Sequence, residues 1–139
     1  MEIQRLASLI PLSGPRIATR DIDFRGYIIA KDTQIFVNFD SILHDKSLWG
    51  DEADVFKPER FIAADGSLLS LETWIPFSLG RRACPGESMA KMELFLFVSN
   101  IVQRFKICPA DSKTVPPIKG QFGITHTPLP HELRMVLRR

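Results

Sequence analysis

Apolar residues first recur at helical spacing. Ile3, Leu6, Leu9 and Ile10 form one stripe among charged and polar neighbours, which predicts a helix over residues 2–10. Pro11 stops it, and Ser13-Gly14-Pro15 is a turn cluster. Over residues 16–39 the period falls toward two, the mark of strands. Ile22 and Phe24 alternate with Asp21, Asp23 and Arg25. Residues 27–29 are expected to pair with Ile35, Val37 and Phe39 across the polar turn Ala30-Lys31-Asp32-Thr33. A short helical turn is expected at residues 40–44. Residues 45–80 carry little periodicity, which is unusual in a compact domain unless the segment is functional or irregularly packed. The clearest helix covers residues 86–105, with Met89, Leu94, Phe97, Val98, Ile101, Val102 and Phe105 at i, i+3, i+4 spacing. Glu87 in its first turn and Arg104 in its last both complement the helix dipole. The tail that starts at Lys113 is rich in proline and glycine and ends in a strand-like Leu133–Leu137.

Composition narrows the picture. The chain has 139 residues, 45% hydrophobic and 24% charged, which is ordinary for a globular domain and argues against disorder. A formal net charge of +2 is too mild for a nucleic-acid binder. Two cysteines are too few for a disulfide framework, so a reducing compartment is the simpler reading. The longest apolar run, residues 94–98, cannot span a bilayer, and Glu2 and Arg5 leave no room for the apolar centre of a signal peptide. The chain starts inside a helix, with no cap or lead-in before it.

The most pointed local feature is Phe77-Ser78-Leu79-Gly80-Arg81-Arg82-Ala83-Cys84-Pro85-Gly86-Glu87. This loop delivers a cysteine to the mouth of the longest helix. Unpaired backbone N–H groups and the positive end of the helix dipole favour the thiolate there, and Arg81 and Arg82 add positive charge. Pro85 suits a first helical turn because its missing N–H has no intrahelical partner anyway. Gly80 and Gly86 permit a tight bend and the close approach of something flat or bulky. Taken alone, such a sulfur could be a nucleophile, a metal ligand, a redox sensor or a buried structural cysteine. Cys84, Cys108, His44, His126 and His131 lack zinc-site spacing.

The pattern Phe77-x-x-Gly80-x-Arg82-x-Cys84-x-Gly86 resembles the haem-ligand signature of the cytochrome P450 family of haem-thiolate monooxygenases. Two further family marks stand upstream in the expected order. Glu2-Ile3-Gln4-Arg5 resembles the family's E-x-x-R helix, and Lys57-Pro58-Glu59-Arg60-Phe61-Ile62 resembles the P-E-R-F segment of its meander. Residues 10–16 and 87–97 look like the microsomal branch that oxidises lipophilic small molecules. The resemblance covers essentially the whole chain. It implies an α+β, mainly α fold. Residues 1–139 would be the C-terminal haem-binding portion of a single domain.

The resemblance also implies roles. Cys84 matches the axial thiolate of haem b (iron protoporphyrin IX), and Phe77 the aromatic that shields its sulfur. Arg82 and Arg16 match the haem propionate contacts, while Gly80 and Gly86 fill the signature's glycine positions. Gly86 would sit where a side chain collides with the porphyrin. Alone, Glu2 and Arg5 read as a surface ion pair worth about 0.3 kcal/mol. The resemblance adds Arg60 as third member of a buried triad that locks the irregular meander. Leu12, Ser13 and Gly14, with Phe122, Gly123, Ile124 and Thr125, would line the substrate pocket. Lys57, Arg81 and Lys91 form a candidate basic face for an acidic reductase.

The implied activity is insertion of one oxygen atom of O₂ into a lipophilic substrate with electrons from an NADPH-cytochrome reductase. The intact relative is expected at the cytosolic face of the endoplasmic reticulum membrane. Lys46 and Glu52 depart from the family, standing where many relatives have proline after aspartate. The anchor, the substrate-entry helices and the distal helix with its acid–alcohol pair would all precede Glu2. No residue here takes the proton-delivery role, so the chain alone is expected to be inactive, with exposed apolar surface. The alternative is a non-catalytic haem-binding fragment or a truncated gene product.

Overall fold

The computed structural model describes residues 1–111 and 115–139. The predicted tail therefore begins, at Lys113, outside the described residues. The fold is α+β: short helices, one long helix, and strands that pair two by two among the described residues. It divides into two compact units. The first holds Met1–Pro76 with Phe122–His126, and the second holds Phe77–Gln121 with Thr127–Arg139.

In the first unit, α1 spans Glu2–Ala7, three residues shorter than its hydrophobic stripe predicts. Ser8 adopts a left-handed conformation (φ 40°) that ends the helix before Leu9 and Ile10, and both of these are exposed. Strands β1 (Arg16–Ile17), β2 (Ile22–Phe24), β3 (Tyr27–Ile29) and β4 (Gln34–Ile35) follow. Their pairing corrects the sequence expectation. β3 pairs with β2, placing Phe24 opposite Tyr27, and β4 pairs back to β1, placing Arg16 opposite Ile35. Arg25 and Gly26 carry positive φ of 53° and 83°, the two-residue hairpin geometry that matches the twist of adjoining strands. The expected turn at residues 30–33 also forms, the Thr33 N–H donating to the Ala30 carbonyl at 3.2 Å, but it hands the chain on to the β1–β4 pair instead of folding it back on β3.

Phe39, expected in a strand, opens helix α2 (Phe39–His44) and is buried. The Asn38 side chain accepts a hydrogen bond from the Ser41 N–H at 2.9 Å and so caps α2. Asp45 caps α3 (Lys46–Trp49) by accepting from the Ser47 N–H at 2.8 Å. Lys46 thus occupies the first helical position, where a proline would fit equally well.

The core lies in this unit. Phe39, Leu43, Trp49, Ala53 and Phe61 form a buried cluster, flanked by Leu71, Trp74 and Ile75. The Trp49 and Phe61 rings are tilted with centroids 5.9 Å apart, and Trp74 meets Phe61 edge-on at 6.4 Å. Trp49 donates its indole N–H to the Ile42 carbonyl at 2.9 Å. Most of residues 45–76 is irregular, as their lack of periodicity predicts, apart from α3 and the 3₁₀ turn Pro58–Phe61.

The second unit is more regular. Helix α4 spans Glu87–Arg104, within one residue of its predicted ends, with Glu87 in the first turn and Arg104 in the last. Phe105 leaves the helix to start β5 (Phe105–Pro109), which the sequence reading missed. Strand β5 pairs along its whole length with β8 (Leu133–Leu137), whose bounds agree with the reading. Strands β6 (Gly120–Gln121) and β7 (Thr127–Pro128) form a small antiparallel pair. No residue of α4 is buried; Phe95 and Phe97 are 72% and 67% exposed. The expected exposed apolar surface is there. Among the described residues, no helix is long and apolar enough to cross a membrane.

Candidate functional site

Two constellations carry the predicted site residues, one in each unit. In the first, Arg5 is fully buried and its planar guanidinium grips Glu2 with two hydrogen bonds, Nε to Oε2 at 2.8 Å and Nη2 to Oε1 at 2.9 Å. Three-residue spacing on α1 puts both side chains on one face. Glu2 Oε1 also accepts from Arg60 Nε at 3.2 Å and from the Lys57 backbone N–H at 3.0 Å. The remaining guanidinium N–H groups reach carbonyls of the irregular segment. Arg5 Nη1 donates to Leu43 at 2.6 Å, while Arg60 donates to Trp49 at 3.2 Å and Glu52 at 3.0 Å. Both guanidiniums lie near the Trp49 ring, with Arg5 5.0 Å from its centroid.

Burial by itself pushes the Glu2 carboxyl up. The Arg5 hydrogen bond, the Lys57 N–H and the charges of Arg5 and Arg60 outweigh it, and the group is held below its ordinary value. One carboxylate and two guanidiniums therefore bind backbone that has no ladder of its own. Sequence reasoning paired the three charges but missed their carbonyl partners, because nothing local in residues 42–55 signals an acceptor.

The second constellation is the cysteine loop. Gly80–Arg82 forms a 3₁₀ turn, and Gly80 has φ of +70°, a left-handed conformation that favours glycine. The loop closes on itself: the Ala83 N–H donates to the Gly80 carbonyl at 3.0 Å and the Cys84 N–H to the Phe77 carbonyl at 2.9 Å. Cys84 is exposed and stands just before Gly86, which caps α4. Gly86 has an ordinary φ of −89°, so its backbone does not require glycine. A Cβ added there would meet only the Cys84 sulfur, at 3.8 Å. What the glycine leaves open is space beside that sulfur. Phe77 is half-buried and Arg82 exposed.

The other predicted residues are distributed as follows. Arg16 opens β1 in the first unit. Ser13 is buried, its hydroxyl accepting from the Val37 N–H at 2.8 Å, while Leu12 is half-exposed and Gly14 exposed. Phe122, Gly123, Ile124 and Thr125 are exposed, Ile124 at 93%. The supposed basic face is partly neutralised: Lys57 pairs with Glu52, and Lys91 pairs with Glu87 at 2.6 Å.

Comparison with known proteins identifies the family. The family model "Cytochrome P450" matches residues 1–135. Cytochrome P450 2D26 of Rattus norvegicus is 39% identical over 137 residues, which is 99% of this chain and 27% of that relative. Cytochrome P450 2D4 of the same species is 41% identical over 132 residues, 95% of this chain and 26% of the relative. Cytochrome P450 2D6 of Pan troglodytes is 40% identical over 137 residues. The chain spans about a quarter of the length of these curated relatives, 26% and 27% of the two from Rattus norvegicus. Its match runs through the Glu2–Arg5–Arg60 network and the Cys84 loop alike, and the chain belongs to the cytochrome P450 family.

Proposed function

We propose that residues 1–139 are the C-terminal haem-binding portion of a haem-thiolate monooxygenase domain, with Cys84 as the axial ligand. The observation that carries this reading is an exposed sulfur in a loop closed by the Cys84–Phe77 hydrogen bond, with open space on the Gly86 side. The donor chemistry fits. A cysteine sulfur is a soft ligand suited to haem iron, and Cys84 stands two residues before Gly86, the residue that caps the 18-residue α4, whose first N–H groups have no intrahelical partner. When bound, the haem supplies the oxygen chemistry, inserting one atom of O₂ into a lipophilic organic substrate with NADPH-derived electrons.

The chain's own residues have supporting tasks. Phe77 is retained as the aromatic that shields the sulfur on the resemblance alone, since Cys84 is exposed here, and the N–H groups at the start of α4 would moderate the sulfur's charge once iron is bound. Arg82 offers a planar guanidinium to a haem propionate. Arg16 is retained as a second propionate contact on the resemblance alone. Gly80 sets the bend and Gly86 leaves room for the ring. Glu2, Arg5 and Arg60 hold the meander. Leu12, Ser13 and Gly14, with Phe122, Gly123, Ile124 and Thr125, face the substrate. The electron donor is an NADPH-cytochrome reductase, and the intact protein works at the cytosolic face of the endoplasmic reticulum membrane.

The test is a reduced carbon-monoxide difference spectrum of the haem-reconstituted chain. A thiolate-ligated Soret band that disappears in Cys84→Ala is expected. Failure of the wild-type chain to take up haem, or a band unchanged in Cys84→Ala, overturns the assignment.

A further inference from the structure

Phe122–His126 groups with the first unit, and His126 is what holds it there. Its backbone N–H donates to the Leu9 carbonyl at 2.8 Å, and its ring Nδ1 lies 3.1 Å from the Ala7 carbonyl. A carbonyl oxygen only accepts, so Nδ1 carries the hydrogen and the neutral ring keeps its lone pair on Nε2. Nε2 is buried without a partner, and moving the hydrogen there would bury an unsatisfied N–H. Phe122 stacks on the same ring, with centroids 4.3 Å apart and planes 2° from parallel. One imidazole therefore takes the start of the segment on its face and fixes the end by its edge. The Gly123 N–H closes the bend onto the Thr125 carbonyl at 3.1 Å.

The Ala7 carbonyl ends α1 and the Leu9 carbonyl follows it; the last carbonyls of a helix have no intrahelical donor, and Pro11 has no N–H to offer Ala7. We propose that His126 is a positioning residue. It clasps Phe122, Gly123, Ile124 and Thr125 to the turn after α1, so that the two segments assigned to the substrate keep one spacing. The purpose of the clasp rests on the substrate-facing role proposed above; the clasp itself rests on the contacts alone.

Amide hydrogen exchange on the full chain tests it, with three variants that separate edge from face. His126→Ala removes both, and the position-126 amide is expected to exchange about tenfold faster, the loss of a typical hydrogen bond. His126→Phe keeps a stacking ring without the donor and is expected to behave like alanine. His126→Asn places a side-chain N–H near the lost Nδ1 and is expected to restore protection, which a merely space-filling role does not predict. Amides of α2 serve as reference and stay unchanged. The proposal is overturned if His126→Ala exchanges like the wild type, if His126→Asn is as fast as alanine, or if α2 accelerates equally in all three. None of these readouts uses haem, so failure here and failure of the Cys84 assignment are separate results.

Discussion

The two units invert the usual relation between regularity and burial. The second contains the longest helix and the longest ladder, yet α4 buries none of its residues and β8 is exposed throughout. The first is built of short elements and irregular backbone, yet it holds every buried hydrophobic side chain among the described residues: Leu6, Ala18, Phe39, Leu43, Trp49, Ala53 and Phe61. Regular hydrogen bonding satisfies a backbone without ordering a core. Where the ladder is missing, something else must satisfy the carbonyls. In the first unit, guanidinium groups do so, and they are themselves held by a single carboxylate.

That contrast can be broken at its charges. Arg5→Ala leaves Glu2 buried beside a hole and orphans the Leu43 carbonyl. It is expected to be the most damaging single change, at about 3–5 kcal/mol, the range for breaking a buried ion pair. Arg60→Ala removes the more exposed arm and is expected to cost about 1.5–3 kcal/mol, as for hydrogen bonds to a charged group. Arg81→Ala, in the cysteine loop, is expected to stay within about 0.5 kcal/mol, like other surface changes. Urea denaturation followed by tryptophan emission reads the series through Trp49 and Trp74. Equal midpoints for the Arg60 and Arg81 variants would falsify the charge-held account of the first unit.

How much of this the sequence disclosed depends on how local each cause is. The bounds of α4 and β8 follow from period and capping, which are properties of neighbouring residues. The hairpin at Arg25-Gly26 differs from the expected one because alternation through Asp21, Asp23 and Arg25 carries the strand pattern up to the turn. The signal is a glycine directly before the apolar triplet Tyr27–Ile29, and in the structure Asp23 accepts from the Gly26 N–H at 3.2 Å. Alternation runs into Phe39 and predicts a strand there, whereas the Asn38 cap decides for helix. The bend at Gly80 and the shared helix face of Glu2 and Arg5 follow from the local sequence; the burial of that pair does not. Nor do the grip of the arginines on Leu43, Trp49 and Glu52 carbonyls and the His126 clasp. Those contacts join residues 119 positions apart in the longest case and follow from no local pattern.

Acid sharpens the same comparison. Glu2 is held below its ordinary value of 4.5 despite burial, chiefly by Arg5. A carboxyl depressed in the folded state contributes stability that is complete above its unfolded value. That contribution is lost as pH falls through the folded value. The first unit is therefore expected to lose stability below about pH 4.5. In Glu2→Gln, already less stable at neutral pH, the acid-dependent loss should shrink. Exposed Asp45, Glu52 and Asp65 are also held low by their hydrogen-bond partners, so some acid dependence persists in the variant. Denaturation midpoints at pH 7 and below pH 4 measure it. An identical pH dependence in Glu2→Gln and wild type would remove Glu2 from the explanation.

The smallest expected effect tests the other half of the contrast. Phe95 sits mid-helix on α4 with 72% of its surface exposed, so replacing it forfeits little buried apolar area. Serine and phenylalanine have similar helix propensities. Phe95→Ser is therefore expected to shift stability by no more than about 0.5 kcal/mol while reducing self-association. Denaturation midpoints and light scattering across a range of protein concentrations separate the two effects. A destabilisation as large as that of Arg60→Ala, independent of concentration, would mean that α4 buries this ring within its own chain. The same loss appearing only at high concentration would place the burial between molecules, and the helix would then owe its order to contacts that a single chain does not make.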